Sequence, residues 1–237
     1  MPLTVHNIFI ESSGMSQPPF EKFINYGNTR AHIRILENPT GLVFIAPGAE
    51  VKIDDPLLKA IRDSCEAKGQ ATVLADLGKT PINMENPYNV HGNFTKALQN
   101  VIEGYTADND FMPNKFELIG HSMGGAAVLT LAKDNPVLQI TVLDPVPVGP
   151  NILKTVECPT NFILSNVRSF RAAGERMFND LVQQTDISHS IHKIETSKKR
   201  EEGHMFIGAT SHVAKILLDY GLREHNLTSA LELKGLE

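Results

Sequence analysis

The sequence predicts an α/β protein with a mainly parallel central sheet and helices on both faces. Three observations carry that expectation. Apolar strand-length runs alternate with helical stretches along the chain, the pattern of repeated strand–helix units. Leu42-Val43-Phe44-Ile45-Ala46 is apolar without a break, as a strand covered on both faces is. Phe116-Glu117-Leu118-Ile119 runs directly into Gly120-His121-Ser122-Met123-Gly124 and then into Gly125-Ala126-Ala127-Val128-Leu129, which reads as a strand, one sharp turn and a helix.

Val5 to Ile10 alternates weakly and is expected to be an edge strand, broken by Pro18-Pro19. Ala31 to Leu36 alternates apolar and polar residues, as a half-exposed antiparallel strand does. Asn38-Pro39-Thr40-Gly41 is a turn before the run at 42–46. Asp55 before Pro56 is a helix N-cap with proline at the first helical position, and Gly69 ends that helix after about Lys68. Thr72 to Ala75 is the next strand, followed by a polar, proline-containing loop and a helix from about Val90 to Glu103. After the strand at 116–119 and the helix at 124–132 come a strand at 138–143, a proline-rich loop to Pro150 and a strand at 161–164. A helix at 172–183, a strand at 187–194 and a helix at 211–220 complete the series. No repeat or linker divides the chain, so a single domain over 1–237 is expected, with its core at about 30–222 and a polar tail at 223–237.

Size and composition narrow the function. The chain has 237 residues and a formal charge of −5, which argues against binding a phosphate backbone. Cys65 and Cys158 stand far apart without metal-type spacing and read as buried thiols. No basic start with an apolar segment marks a secretory leader, and no apolar stretch is long enough to span a membrane. The expectation is a soluble, cytoplasmic protein, with non-classical export left open. Oligomeric state is not legible.

In an open parallel sheet, ligands gather beyond the carboxyl ends of the strands. The residues there are Pro47-Gly48-Ala49-Glu50, Ser122, Asp144-Pro145-Val146, Ser165-Asn166-Val167-Arg168 and, after the last strand, Gly203-His204-Met205. They supply a serine, an aspartate and a histidine, in that chain order. A serine hydroxyl is too weakly acidic to attack a carbonyl unaided, so an imidazole must take its proton, and a carboxylate must fix the imidazole tautomer. The developing oxyanion needs backbone N–H donors, and the expected ones are those of Ala49 and Met123. Gly48, Glu50, His121 and Val146 are expected to border the pocket, with His121 packing the elbow rather than acting as a second base. His91 and Tyr88 lie in a loop that borders the pocket or is simply solvated. His189 and His192 fall within a strand pattern, Asp76 precedes the elbow and reads as structural, and Lys198 to Glu202 reads as a solvated turn.

Over about residues 30–222 the chain resembles the α/β-hydrolases, whose triad follows the order serine, acid, histidine. The elbow with Met123 and a second glycine, and the Pro47-Gly48-Ala49 loop, resemble the lidless cutinase, polyester-hydrolase and chlorophyllase-like branch. The resemblance implies a serine esterase acting on small-molecule carboxylic esters, with no cofactor and no metal. It departs from the common pattern at the acid. Most members carry it after the penultimate strand, where this chain has Ser165-Asn166-Val167-Arg168. Glu175 lies further on, within the expected helix. Asp144, one strand earlier, is the better candidate, and Leu143-Asp144-Pro145-Val146 is similar to the matching segment of chlorophyllases. No insertion large enough for a helical lid separates Asp144 from Asn161. Short or small esters are the first expectation. Acyl transfer or thioester cleavage on the same triad, and a non-catalytic binding protein of this fold, are the alternatives.

Overall fold

The computed structural model describes residues 20–83, 85, 89–109 and 111–220. The expected edge strand at 5–10, Tyr88 and the tail at 223–237 lie outside the described residues. Eight strands form one sheet: β1 (Phe20–Tyr26), β2 (Thr29–Ile35), β3 (Gly41–Ala46), β4 (Gln70–Ala75), β5 (Phe116–His121), β6 (Val137–Leu143), β7 (Thr160–Leu164) and β8 (His189–Lys193). Their order is β1-β2-β4-β3-β5-β6-β7-β8. Only the β1–β2 and β2–β4 pairs are antiparallel, and every pair from β4 to β8 is parallel.

The parallel strands are built from the runs that lack alternation. β4, β5 and β7 are buried at every position, because helices cover both faces of the sheet. On one face α2 (Gly92–Asp108), α3 (Met123–Leu131), the short α4 (Pro150–Leu153) and α5 (Arg168–Gln184) pack Phe94, Leu98, Val128 and Leu181 against Phe44, Leu118 and Phe162. On the other face α1 (Pro56–Ala67) and the helix at 210–220 pack Leu57, Ile61, Val213 and Leu217 against Val43, Ile45, Ile119 and Ile163.

Local chemistry sets the ends as expected at α1. The Asp55 side chain accepts from the Leu57 N–H at 2.8 Å, Pro56 opens the helix, and Gly69 leaves it at φ +78°. Other expectations are corrected. β1 was not expected as a strand: Phe20-Glu21-Lys22-Phe23-Ile24-Asn25-Tyr26 buries only Tyr26, so it carries no clean alternation. It pairs with β2 through a tight hairpin at Gly27, which has φ +60°. β2 is more buried than a half-exposed strand, because Ala31 and Ile33 enter the core on one face and Phe23 stacks over His32 on the other. The run Lys198 to Glu202 is only partly a turn: Arg200 to His204 form the short helix α6, with Glu201 and Glu202 in its first turn. Residues 144–159 between β6 and β7 hold only α4, so no large lid is inserted there. No helix among the described residues is long and apolar enough to cross a membrane.

Candidate active site

The strand order brings the predicted residues to one edge. β3, β5, β6 and β7 are consecutive in the sheet, and their carboxyl ends carry Gly48, Ser122, Asp144 and Ser165. The register is level there: Ala46 pairs with Gly120, His121 with Leu143, and Leu143 with Ile163.

Ser122 turns the chain from β5 into α3 at φ 54° and ψ −116°, a conformation that costs a non-glycine residue about 1–3 kcal/mol. Main-chain bonds hold it there. Its N–H donates to Leu143 O at 2.9 Å, and its carbonyl accepts from Ala126 N at 3.2 Å and Val146 N at 3.1 Å. Two glycines allow the approach of neighbouring chain. A Cβ on Gly124 would lie 2.0 Å from Ala46 O, and one on Gly48 would lie 2.9 Å from the Ser122 Cβ. The loop after β3 is therefore packed directly on the elbow. The N–H of Ala49 in that loop and that of Met123, the first residue of α3, donate to no protein acceptor among the described residues. Glu50, at φ +61°, is exposed, and its N–H is held by Gly78 O at 3.1 Å. Val146 is half-buried and bound to the elbow through its N–H.

Asp144 follows β6 at φ 40°, with no exposed surface. Its Oδ2 lies 3.2 Å from His204 Nδ1. Ser165, also fully buried, donates its N–H to Asp144 Oδ1 at 2.8 Å and its hydroxyl to Oδ2 at 2.5 Å. The Val167 N–H donates to the Ser165 Oγ at 3.2 Å, which leaves the hydroxyl proton for the carboxylate. The position after β7 where an acid is usual thus supplies a donor pair to an acid on the neighbouring strand. Glu175 is spoken for elsewhere, 2.6 Å from Lys193 Nζ.

His204 ends α6, and its ring sits between two others. Phe170 stacks on it with ring centroids 3.7 Å apart and planes 6° from parallel, while the His121 ring lies 4.6 Å away at 35°. His121 also binds the main chain of His204: its Nε2 lies 2.9 Å from His204 O. A carbonyl only accepts, so the proton of His121 is on Nε2. Burial pushes the His121 ring down to about 3, so it is neutral at neutral pH. The Nε2 of His204 makes no hydrogen bond among the described residues and is left for a ligand or for Ser122, whose hydroxyl is not bonded to it in this state.

The other sequence candidates separate from this cluster. His91 is buried between α2 and α3, with Nε2 3.0 Å from Thr130 Oγ1, so it packs helices rather than bordering a pocket. His189 lies in β8, bound to Thr185 Oγ1 at 2.8 Å, and His192 lies in the same strand. Asp76 follows β4, where its N–H donates to Arg30 O at 2.7 Å. Cys65 and Cys158 are free and buried, and burial pushes their thiols up to about 12 and about 11. Among the described residues no group of three or more His, Cys, Asp or Glu is placed to hold a metal ion. Sequence reading missed Ser165 as a partner of Asp144 and Phe170 as a partner of His204. Position gave the only available signal for Ser165, since it stands where an acid was sought.

No family model matches the chain, and no curated protein matches it. Solved structures do. Dienelactone hydrolase from Anabaena variabilis aligns at TM-score 0.72 and 21% identity, covering 87% of this chain and 99% of that one. Est1E from Butyrivibrio proteoclasticus aligns at TM-score 0.66 and 12% identity, covering 87% and 99%. The fold is that of the α/β-hydrolases. A thioesterase domain from the curacin biosynthetic pathway aligns as well, at TM-score 0.58 and 11% identity over 85% of this chain and all of that one, 100%. Proteins of several activities share the α/β-hydrolase scaffold, so what this one does has to be argued from its own side chains.

Proposed function

We propose that this α/β-hydrolase-fold protein is a serine hydrolase that cleaves carboxylic esters. The observation that carries the reading is the 3.2 Å contact between His204 Nδ1 and Asp144 Oδ2 on the sheet edge where the neighbouring strand ends in Ser122.

Ser122 Oγ attacks the ester carbonyl carbon while His204 Nε2 takes the hydroxyl proton. Asp144 accepts the Nδ1–H, which keeps Nε2 unprotonated in the resting ring and stabilises the imidazolium that forms. The two donors of Ser165 hold the carboxylate oriented, so it spends none of its reach on water. The free N–H groups of Ala49 and Met123 receive the oxyanion; in comparable enzymes each such donor is worth about 3 kcal/mol. His204 then gives its proton to the leaving alcohol. Water, deprotonated by the same ring, releases the acid and restores Ser122. No step calls for a metal or an organic cofactor.

A fluorophosphonate probe labels Ser122 on this reading, and Ser122→Ala abolishes both labelling and p-nitrophenyl ester turnover. Turnover retained in the purified, folded Ser122→Ala protein would remove the assignment.

A further inference from the structure

The β7–α5 loop and the segment leading into α6 border a shallow, open surface cavity of about 720 Å³. Arg168, Lys198 and Arg200 line it, together with Asn166, Ser169 and apolar Val167 and Ala172, and no acidic side chain does. Among the described residues none of these three cations is in an ion pair. Their neighbours are: Arg171 lies 3.5 Å from Glu195, Lys193 2.6 Å from Glu175 and Lys199 2.8 Å from Glu202. Of the acids in the neighbouring segments, Glu195 is engaged by Arg171 and by Asn166 Nδ2 at 3.0 Å, and Glu202 by Lys199. The lining of the cavity is therefore cationic, with Glu201, which follows Arg200 in the chain, outside it. No side chain caps α5, whose first turn forms part of the wall, so its free N–H groups add to the same potential.

The cavity adjoins the residues proposed for catalysis. Val167, in its wall, packs so closely on Gly203 that a Cβ there would lie 2.7 Å from Val167 Cγ2, and Gly203 precedes His204. The Arg200 guanidinium stands 5.9 Å from the centre of the Phe170 ring, the ring stacked on His204. The chain as a whole carries −5 and repels anions, so a local cluster of three unpaired cations on this surface has a selective effect.

We propose that this cavity binds a carboxylate carried by the substrate, which makes esters bearing a free acid group preferred over neutral esters of the same size. Arginine suits this task because its planar fork meets a carboxylate with two parallel hydrogen bonds. The inference rests on the ester-hydrolase reading of Ser122.

The test compares kcat/KM within two matched pairs: mono-p-nitrophenyl glutarate against p-nitrophenyl pentanoate, and p-acetoxybenzoate against its methyl ester. The first pair places the charge on the acyl arm and the second on the alcohol arm. The anionic member of at least one pair is favoured about tenfold or more, and the preference shrinks as salt is raised. In the Arg168→Gln/Lys198→Gln protein that preference is lost while turnover of the neutral ester is kept. A wild-type ratio near one in both pairs, or a ratio unchanged in the double variant, overturns the proposal. Calorimetric binding of the same esters to Ser122→Ala protein keeps the two readings apart. Selective binding of the anionic ester, lost with Arg168 and Lys198 replaced, supports the cavity even where wild-type protein turns nothing over and the serine reading fails. Equal binding of neutral and anionic esters overturns it.

Discussion

Phe170 lies flat on the imidazole of His204, with centroids 3.7 Å apart and planes 6° from parallel. Such a stack fixes a ring that its Asp144 bond alone would leave free to tilt. Phe170→Leu is expected to lower kcat about three- to tenfold with little change in KM, since roughly 1 kcal/mol of stacking is lost. Phe170→Tyr restores the rate. Steady-state kinetics on both variants, with thermal melts to show intact folding, check the pair.

Asp144→Asn keeps the shape of the acid but presents the wrong partner to Nδ1. The expected loss in kcat is about 10⁴-fold, as when a triad aspartate is so replaced elsewhere. Glu175→Gln removes only a surface pair with Lys193 and leaves the rate near wild type. The reverse outcome would transfer the acid role to Glu175.

Ser165→Ala deletes the hydroxyl donor to Asp144 and spares the backbone donor. A buried carboxylate short of one hydrogen bond costs about 1–3 kcal/mol. Urea unfolding is expected to show that loss, together with a drop in kcat smaller than that of Asp144→Asn. An unchanged midpoint would mean that the hydroxyl carries no weight.

Gly48→Ala puts a methyl group 2.9 Å from the Ser122 Cβ and 3.1 Å from His121 Nδ1. The loop has to retreat, taking the Ala49 N–H with it, so kcat falls by about 10²-fold or more while the fold survives. Gly149→Ala is the control: nothing lies within 4 Å of the added atom, and stability stays within about 0.5 kcal/mol of wild type. Measured rates and melting temperatures separate the two.

His121 stays neutral in the folded protein, where burial holds it down at about 3, whereas the unfolded chain takes up its proton near the ordinary 6.5. Between those values the unfolded state binds more protons, so stability is complete above about 6.5 and declines as pH falls through that window. Denaturant midpoints measured from pH 7 down to pH 4 are expected to fall, and to fall less steeply in His121→Gln. Burial lowers His91 in the same direction, so part of the slope persists in that variant.

Main-chain geometry was the legible part. The unbroken run at 42–46, the Asp55-Pro56 start and the glycines around Ser122 each act through neighbours in sequence, and each appears where expected. The place of Asp144 at the end of a buried strand was readable because it closes an apolar run and precedes a proline. β1 was not, since an edge strand with Phe20 and Phe23 in the open leaves no alternation to find. The segment Lys198 to Glu202 misled because its charges suit a helix start as well as a turn. Ser165 and Phe170 were out of reach for a different reason. Each meets its partner across a strand boundary or between helices, and no local pattern records such a meeting.

The level ends of β3, β5, β6 and β7 have a consequence for when the proposed site comes together. Gly48, Ser122, Asp144 and Ser165 become neighbours only when four strands separated along the chain have docked in register. Parallel pairing of that kind closes long loops and forms late. During refolding, helical signal should therefore return before catalysis does, and a chain stalled with one strand unzipped would look largely native by circular dichroism yet be inert. Under the proposed hydrolase reading, ester turnover is then a clock for the last step of sheet assembly.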